Sequence, residues 1–451
     1  MEFDGKKVLV FGTGKSGIGA AKLLLRKGAC VVLYDGNEEI DVEELKNQFS
    51  ADAKLEIVLG VLPESVMNSL DLVVMSPGVP CDLPEVLQMK EKNIRIWGEV
   101  ELAYECGNGD VLAVTGTNGK TTTTSLLGAI MQAWKKEVYI VGNIGNPYTE
   151  AAPEMTEQAV TVAEISSFQL ETIEKFAPKV SAILNITPDH LNRHHTMEEY
   201  IRVKELITKN QTMEDTCVLN YEDELLRKFG ETLKTKVIYF SSLHKLEKGM
   251  YLDGKSICFS DGAEVTELCR TDELNLPGRH NHENVMAASA MALAYGVPVD
   301  VIRKVVKSFK AVEHRIEYVT EKNGVVYYND SKGTNPDAAI KGIQAMDRPT
   351  LLIGGGYDKG SSYEEWIQAF DGKVKYLVLI GQTKEKIAMT ARSLGFHNIV
   401  FAESLEEAVR FCADHAQSGD AVLLSPACAS WGMFPNYEVR GRMFKELVNN
   451  L

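Results

Sequence analysis

The sequence predicts an α/β protein of three domains: an N-terminal Rossmann-like domain (1–97), a central P-loop-type domain with a mostly parallel sheet (98–312) and a C-terminal Rossmann-like α/β domain (313–451). Short apolar runs alternate with helical patterns along most of the chain, the mark of parallel sheets covered by helices. Twice, at 12–17 and at 116–120, a glycine-rich turn joins such a run to a helical pattern. At 451 residues the chain is also too long for a single core.

Composition narrows the function classes. With 45% hydrophobic and 25% charged residues, the chain has an ordinary globular balance. No apolar run approaches the roughly 18–20 residues that span a membrane. The chain enters its first strand without a signal-like segment, so a cytoplasmic location and no membrane association are expected. A net charge of −15, without a Lys/Arg block, argues against nucleic-acid partners. Eight cysteines without a CxxC pair suggest free thiols in a reducing compartment.

In the first domain, strand Lys6–Phe11 leads through Gly12-Thr13-Gly14-Lys15-Ser16-Gly17 into a helix from Ile18 to Arg26. Strand Cys30–Tyr34 then closes on Asp35. This is a GxGxxG turn with an acid ending the next strand, the pattern of a dinucleotide site. It leaves open NAD, another nucleotide, or a Rossmann-like unit with an unused crevice. Strand Asp71–Met75 runs into Ser76-Pro77-Gly78 at the same edge, and the unit ends near Trp97.

In the central domain, strand Val111–Val114 meets Thr115-Gly116-Thr117-Asn118-Gly119-Lys120-Thr121-Thr122, and a helix starts at Lys120. Glycines let backbone N–H groups curl around an anion, and the helix start and Lys120 add positive charge. Thr121 and Thr122 offer hydroxyls to a magnesium ion. The glycine spacing is shorter than a standard P-loop requires. Strand Val138–Val141 precedes Gly142-Asn143-Ile144-Gly145. Ala159–Glu164 then ends a near-continuous apolar run on a carboxylate, which suits either a magnesium ligand or a group held by backbone donors. Strand Val180–Asn185 leads to Asp189-His190-Leu191-Asn192-Arg193-His194-His195, residue types that suit zinc or a solvated loop.

Thr196 and Glu199 form a capping box that opens a helix from Met197 to Asn210. At 100° per residue Lys204 falls inside the apolar arc of Tyr200, Ile201 and Ile207. A lysine there must snorkel, find a partner or lose its charge. Residues 214–273 read as short strands and turns. Leu276-Pro277-Gly278-Arg279-His280-Asn281-His282-Glu283-Asn284 then opens an Ala-rich helix, Val285–Tyr295, with Asn281 and Asn284 sharing a face. Helix Asp300–Phe309 brings the domain to an end near Val312. In the last domain four strands, Val325–Tyr328, Thr350–Ile353, Tyr376–Ile380 and Ala421–Leu424, end in polar loops that gather Asp330, Lys332, Lys359 and Ser430 at one edge.

Together these stretches resemble the Mur ligases, ATP-dependent amino-acid-adding enzymes of peptidoglycan precursor synthesis, over essentially the whole chain. The matching residues are Thr115–Thr122, Glu164-Ile165-Ser166-Ser167-Phe168-Gln169-Leu170, Asp189-His190, Lys204, His280-Asn281 with Asn284, and His314-Arg315. Asn329-Asp330-Ser331-Lys332-Gly333-Thr334-Asn335 and Ser425-Pro426-Ala427-Cys428-Ala429-Ser430 resemble the D-glutamate-adding branch. No Asp-Asn-Pro-Arg type motif of the diaminopimelate- or lysine-adding branch is present, and Asn118 stands where the L-alanine-adding branch has histidine.

The resemblance implies a monomer that joins D-glutamate to UDP-N-acetylmuramoyl-L-alanine through an acyl phosphate, with ATP and two Mg2+ ions. It places the uridine diphosphate, and not NAD, in the first domain, against Gly14, Lys15, Ser16, Asp35, Gly36, Ser76 and Gly78. It assigns ATP to Gly116, Thr117, Asn118, Gly119, Lys120, Thr121, Thr122, Asn281, Asn284, Arg315 and Asp330. Lys120, Glu164, His190 and Lys204 become catalytic; Thr121, Glu164, His190 and a carbamylated Lys204 become metal ligands. Asn143 and His190 face the muramoyl sugar, while Lys332, Thr334, Lys359, Ser430 and Tyr437 meet D-glutamate. Two positions depart from the family pattern: Gly333 replaces an alanine, and Gly432 a residue expected to be acidic.

Overall fold

The computed structural model describes residues 2–143, 147–276, 278–310 and 313–451. Ile144, Gly145, Pro277 and Val312, which figure in the sequence reading, lie outside the described residues. The protein is a three-domain α/β chain with one sheet in each segment. It forms two compact units, 1–270 with 284–306 and 271–283 with 307–451.

The first sheet contains β1 (Lys7–Phe11), β2 (Cys30–Asp35), β3 (Leu55–Leu59), β4 (Leu72–Met75) and β5 (Arg95–Gly98), in the order β3-β2-β1-β4-β5. All pairs are parallel, so β1 and β4 flank the point where strand order reverses. Helix Lys15–Arg26 follows the glycine turn. Gly17 is required there, since a Cβ on it would lie 1.9 Å from the Gly12 carbonyl oxygen.

The second sheet contains β6 (Asp110–Thr115), β7 (Val138–Gly142), β8 (Val160–Glu164), β9 (Val180–Ile183), β10 (Thr216–Asn220), β11 (Lys236–Ser241), β12 (Gly249–Asp253), β13 (Ser256–Ser260) and β14 (Val265–Arg270). Its order is β14-β13-β12-β11-β10-β9-β6-β8-β7. The pairs from β7 through β12 are parallel, and the last two strands turn back antiparallel. Central β6 and β8 are apolar because helices cover both faces. One hydrophobic cluster runs unbroken from Val8, Leu24 and Leu33 of the first segment through Trp97, Val100 and Tyr148 to Ala163, Ile183 and Tyr200. The first two sheets thus share a core.

Within the second unit the third sheet contains β15 (Glu317–Lys322), β16 (Val325–Asn329), β17 (Thr350–Gly354), β18 (Val374–Leu379), β19 (Ile399–Phe401) and β20 (Ala421–Leu424), in the order β15-β16-β20-β17-β18-β19. Only β15 pairs antiparallel. Its two faces carry separate clusters, around Trp366 and around Phe444.

Three elements differ from the sequence reading. The helix expected over 197–210 is α-helical over Met197–Glu205 and tightens into a 3-10 turn at Leu206–Thr208, where the Thr208 hydroxyl donates to the Glu205 carbonyl. The helix expected from Val285 begins at Arg279, because its first turn is polar and carries no apolar period. Residues 214–273 contain a helix, Glu224–Thr232, started by Asp223 accepting from the N–H groups of Leu225 and Leu226. Among the described residues no helix is long and apolar enough to cross a membrane, and all eight cysteines are free.

Gly17→Ala should lower the unfolding free energy by about 2 kcal/mol, the usual cost of overpacking against fixed backbone. Urea denaturation measures it, and an unchanged midpoint would show that the helix shifts freely.

Candidate functional site

In the first unit the strand ends bring three parts of the site into definite geometry. At the first sheet, Thr13 donates to Asp35 Oδ2 from its N–H at 3.0 Å and its hydroxyl at 2.8 Å, and the Asn37 N–H donates to Oδ1 at 3.1 Å. Asp35 therefore ties the glycine turn to the end of β2. A Cβ on Gly14, Gly36 or Gly78 would meet nothing within 4 Å, so open space adjoins these turns. Lys15 is exposed, and the half-buried Ser76 donates to the Gly12 carbonyl at 3.4 Å.

At the second sheet the loop after β6 turns through Gly116 and the left-handed Gly119 into helix Lys120–Trp134. Its shape is held from the end of β9. The Thr117 N–H donates to the Asn185 carbonyl at 2.9 Å, and the Asn118 N–H to Asn185 Oδ1 at 2.9 Å. Asn185 Nδ2 in turn donates to the Asn118 carbonyl at 3.1 Å. Asn185 was missed as a site residue, although a polar residue closing an apolar run is the signal that singled out Glu164. On the helix, the Thr123 hydroxyl donates to Asn284 Oδ1 at 3.3 Å, and that same oxygen would lie 2.3 Å from a Cβ on Gly119.

Two ammonium groups converge on this loop. Lys120 Nζ donates to the carbonyls of Gly116 and Thr117 at 2.8 Å each. Lys204 Nζ, 1% exposed as a residue, donates to the same Gly116 carbonyl at 2.8 Å and lies 4.7 Å from the Tyr200 ring centre. Burial, then the Lys120 charge, pushes the Lys204 amine well below its ordinary range, with Asp189 opposing. Lys204 does not snorkel to solvent.

Register places Glu164 directly beside Val114, one strand from the loop. Glu164 is buried, with Oε1 accepting from Asn143 Nδ2 at 3.0 Å. Its Oε2 is buried with no hydrogen-bond partner. A buried carboxylate oxygen left open beside a phosphate-type loop fits a hard divalent cation. His190 is left-handed at φ 54°, lies 3.5 Å from Asp189 and packs its ring edge-on to Phe168 at 4.9 Å. Among the described residues the 189–195 stretch gathers no cluster of three metal-type ligands. His194 is buried against Ser167, and His195 pairs with Asp82.

The second unit holds the other predicted residues. Asp330, closing β16, is fully buried; it accepts from the Ser425 hydroxyl at 2.8 Å and the Ile316 N–H at 3.3 Å, with Arg315 at 3.6 Å. Burial pushes its carboxyl up to about 6, against Arg315 and these hydrogen bonds. Lys332 Nζ lies 5.4 Å from the Tyr437 ring centre, and its N–H donates to the His314 carbonyl. Ser331 donates to the Tyr437 carbonyl at 2.8 Å. The buried Arg440 donates to the Ser331 hydroxyl at 2.9 Å and to its carbonyl at 2.7 Å. Arg440 and His314 support this loop, and no sequence signal marked Arg440. Thr334 is half-buried, Ser430 buried and Lys359 exposed. Asn281 is buried on helix Arg279–Ala294, beside His280, whose Nε2 has no hydrogen-bond partner. Gly333 is explained by Asp330, whose Oδ2 lies 2.6 Å from where a Cβ would stand. Gly432 occupies a left-handed position at φ 83° in open space.

Sheet order, glycine loop and strand-end polar groups define an α/β architecture of the kind that binds nucleotides at strand ends, and comparison with known proteins gives its class along the whole chain. Residues 6–98 match the Mur ligase MurD-like N-terminal domain, 114–292 the Mur ligase middle domain and 314–428 the Mur ligase glutamate ligase domain. The chain belongs to the Mur ligase family. Its relatives include the UDP-N-acetylmuramoylalanine--D-glutamate ligases of Lachnoclostridium phytofermentans (58% identity, covering 100% of this chain and 99% of that one) and Lachnospira eligens (57%, 100% of both). That of Clostridioides difficile is 48% identical and also covers 100% of both. Among solved structures, UDP-N-acetylmuramate-alanine ligase MurC of Thermotoga maritima has a TM-score of 0.61 at 20% identity, covering 99% of both chains. MurF ligase of Thermotoga maritima, in complex with ADP, also scores 0.61, at 18% identity, covering 100% of this chain and 96% of that one. At that identity the likeness is one of fold.

The Asp330 shift sets a pH dependence. A carboxyl raised to about 6 in the folded chain, against about 4 unfolded, binds the extra proton when folded. Its stabilising contribution is present at pH 4 and is lost as pH rises through 6, by up to about 3 kcal/mol. Urea unfolding from pH 4 to 7 should show this loss, and Asp330→Asn should flatten it.

Proposed function

We propose that the chain is an ATP-dependent ligase that joins D-glutamate to the L-alanine carboxylate of UDP-N-acetylmuramoyl-L-alanine in peptidoglycan precursor synthesis, forming ADP and phosphate. The whole-length identity to ligases of that name supports this reading, and the convergence of Lys120 and Lys204 on the Gly116 carbonyl is the single observation that carries the site.

A carboxylate does not condense with an amine unaided, because its oxygen leaves poorly. The L-alanine carboxylate oxygen attacks the γ-phosphorus of ATP and ADP leaves, giving an acyl phosphate. The D-glutamate amine then attacks the acyl carbon, and the tetrahedral intermediate expels phosphate. The first step depends on positioning and on neutralising charge at the phosphoryl group. Lys120 supplies a cation from the helix start, and Gly116–Thr122 supply backbone donors and hydroxyls. Asn281, Asn284, Arg315 and Asp330 hold the nucleotide. Lys332, Thr334, Lys359, Ser430 and Tyr437 hold D-glutamate, whose two carboxylates suit the two lysines. Gly14, Lys15, Ser16, Asp35, Gly36, Ser76 and Gly78 bind the uridine diphosphate, and Asn143 and His190 the sugar.

Magnesium, when bound, neutralises charge on the phosphate oxygens. The residues that would hold it are Thr121 and Glu164 for one ion, and His190 with a modified Lys204 for a second. Lys204 suits that role because a neutral amine can add CO2 with loss of a proton. The resulting carbamate is an anionic oxygen ligand, and the protonated amine is none. The segments 1–97, 98–312 and 313–451 then correspond to uridine-nucleotide, ATP and amino-acid binding.

Phosphate release with ATP, UDP-N-acetylmuramoyl-L-alanine and a panel of amino acids tests the assignment. Turnover is expected with D-glutamate; turnover with L-lysine or diaminopimelate in its place would overturn it. Lys204→Ala should lose most activity, by a factor of about 100 or more on the scale of a lost electrostatic ligand. Added short carboxylates should partly restore it, and a fully active variant would remove the carbamate from the mechanism.

A further inference from the structure

The Asp189–His195 stretch and the serines after Glu164 include residues that the proposed chemistry leaves unused, and in the first unit they form one cluster. Arg193, with a side chain only 10% exposed, donates from Nη2 to Glu171 Oε2 at 2.6 Å and from Nε to Glu171 Oε1 at 3.4 Å. The same Nη2 donates to the carbonyl of Val79 at 2.8 Å, and the guanidinium stands over the Phe168 ring at 4.9 Å. The N–H of Val79 donates to the Ser76 carbonyl at 3.0 Å, so the turn that Arg193 holds is Ser76–Val79 itself.

From Glu171 the contacts continue to the nucleotide loop. Glu171 Oε1 lies 3.4 Å from His194 Nδ1. His194 Nε2 lies 2.9 Å from the Ser167 hydroxyl, with the direction of that bond set by the imidazole tautomer. The His194 ring packs between Phe168 and Tyr200, with centroids at 5.6 and 5.2 Å. Tyr200 OH lies 3.1 Å from the Thr117 hydroxyl in the loop. A second tie, His195 to Asp82 at 3.1 Å, joins the same two segments at the surface.

We propose that Arg193 is a positioning residue for the uridine-nucleotide substrate, gripping the Val79 carbonyl to set the Ser76–Val79 turn against the segment that carries His190. The proposal rests on the reading that Ser76 and Gly78 meet that substrate. The role needs a guanidinium. Its planar fork bonds a carboxylate on one side and a carbonyl on the other while stacking on Phe168, whereas a lysine ammonium is a point charge without that geometry. Displacing the turn weakens binding of the nucleotide that lies on it, while the ATP loop, tied to the cluster only through Tyr200 and Thr117, keeps its backbone bonds to Asn185.

The test is steady-state kinetics of the full chain with UDP-N-acetylmuramoyl-L-alanine, ATP and D-glutamate, for wild type, Arg193→Met and Arg193→Lys. For both variants the KM for the uridine nucleotide should rise about tenfold, with KM for ATP within about twofold and kcat within about threefold. An unchanged KM for the uridine nucleotide, an equal rise for ATP, or wild-type behaviour of Arg193→Lys would overturn the proposal. If the Arg193 variants do not fold, Glu171→Gln is read in the same way: a selective rise supports the proposal and none overturns it. A wild-type chain without turnover would overturn the functional reading and this proposal with it, whereas an active wild type with kinetically silent variants overturns this proposal alone.

Discussion

Two ammonium groups reach for one carbonyl oxygen, that of Gly116, and much of the central segment depends on how this is resolved. Like charges this close, one of them fully buried, cannot both remain protonated cheaply in a medium of low dielectric. Lys120 sits at the half-buried start of its helix. Lys204 is buried against the Tyr200 ring and yields its proton more easily. Burial thus sets the two amines apart, Lys120 half-buried and Lys204 enclosed.

The surroundings of that carbonyl follow from parallel-sheet geometry. β8 and β9 flank β6, so their carboxyl ends deliver Glu164 and Asn185 to the two sides of the loop. Asn185 meets the loop's backbone with both ends of its amide and fixes its shape. Glu164 keeps one oxygen for Asn143 and leaves the other unmatched. In the second unit the same geometry places Asp330 and Ser425 at neighbouring strand ends, where burial raises the carboxyl's proton affinity.

The continuous core beneath the first two sheets gives the loops above it a common foundation. Arg193, Glu171 and His194 add polar ties at the upper edge, where loops would otherwise drift independently. Each member of this cluster has a partner for its charge or proton, the condition under which a buried polar network stiffens a structure instead of weakening it.

Periodicity and turn chemistry by themselves determined the three sheets, the glycine turns, the Thr196 cap and the improbable position of Lys204, since these depend on neighbours within a few residues. They also singled out Glu164, because a carboxylate closing an apolar run contradicts its own surroundings, and Asp330, because four polar strand-end loops gather at one edge. The family resemblance, and not periodicity, supplied the choice of uridine nucleotide over NAD. Only the tertiary structure decided what each polar residue meets. Asp35 ties down Thr13 through both its N–H and its hydroxyl; in the 189–195 stretch, whose histidines and aspartate suited zinc or a solvated loop, Arg193 and His194 are largely buried ties. Asn185, Arg440 and the early start of helix Arg279–Ala294 were not legible, because their partners lie far along the chain and leave no local period. A short-range pattern encodes which face is buried; which donor meets which acceptor is settled only when distant strand ends are brought to one edge.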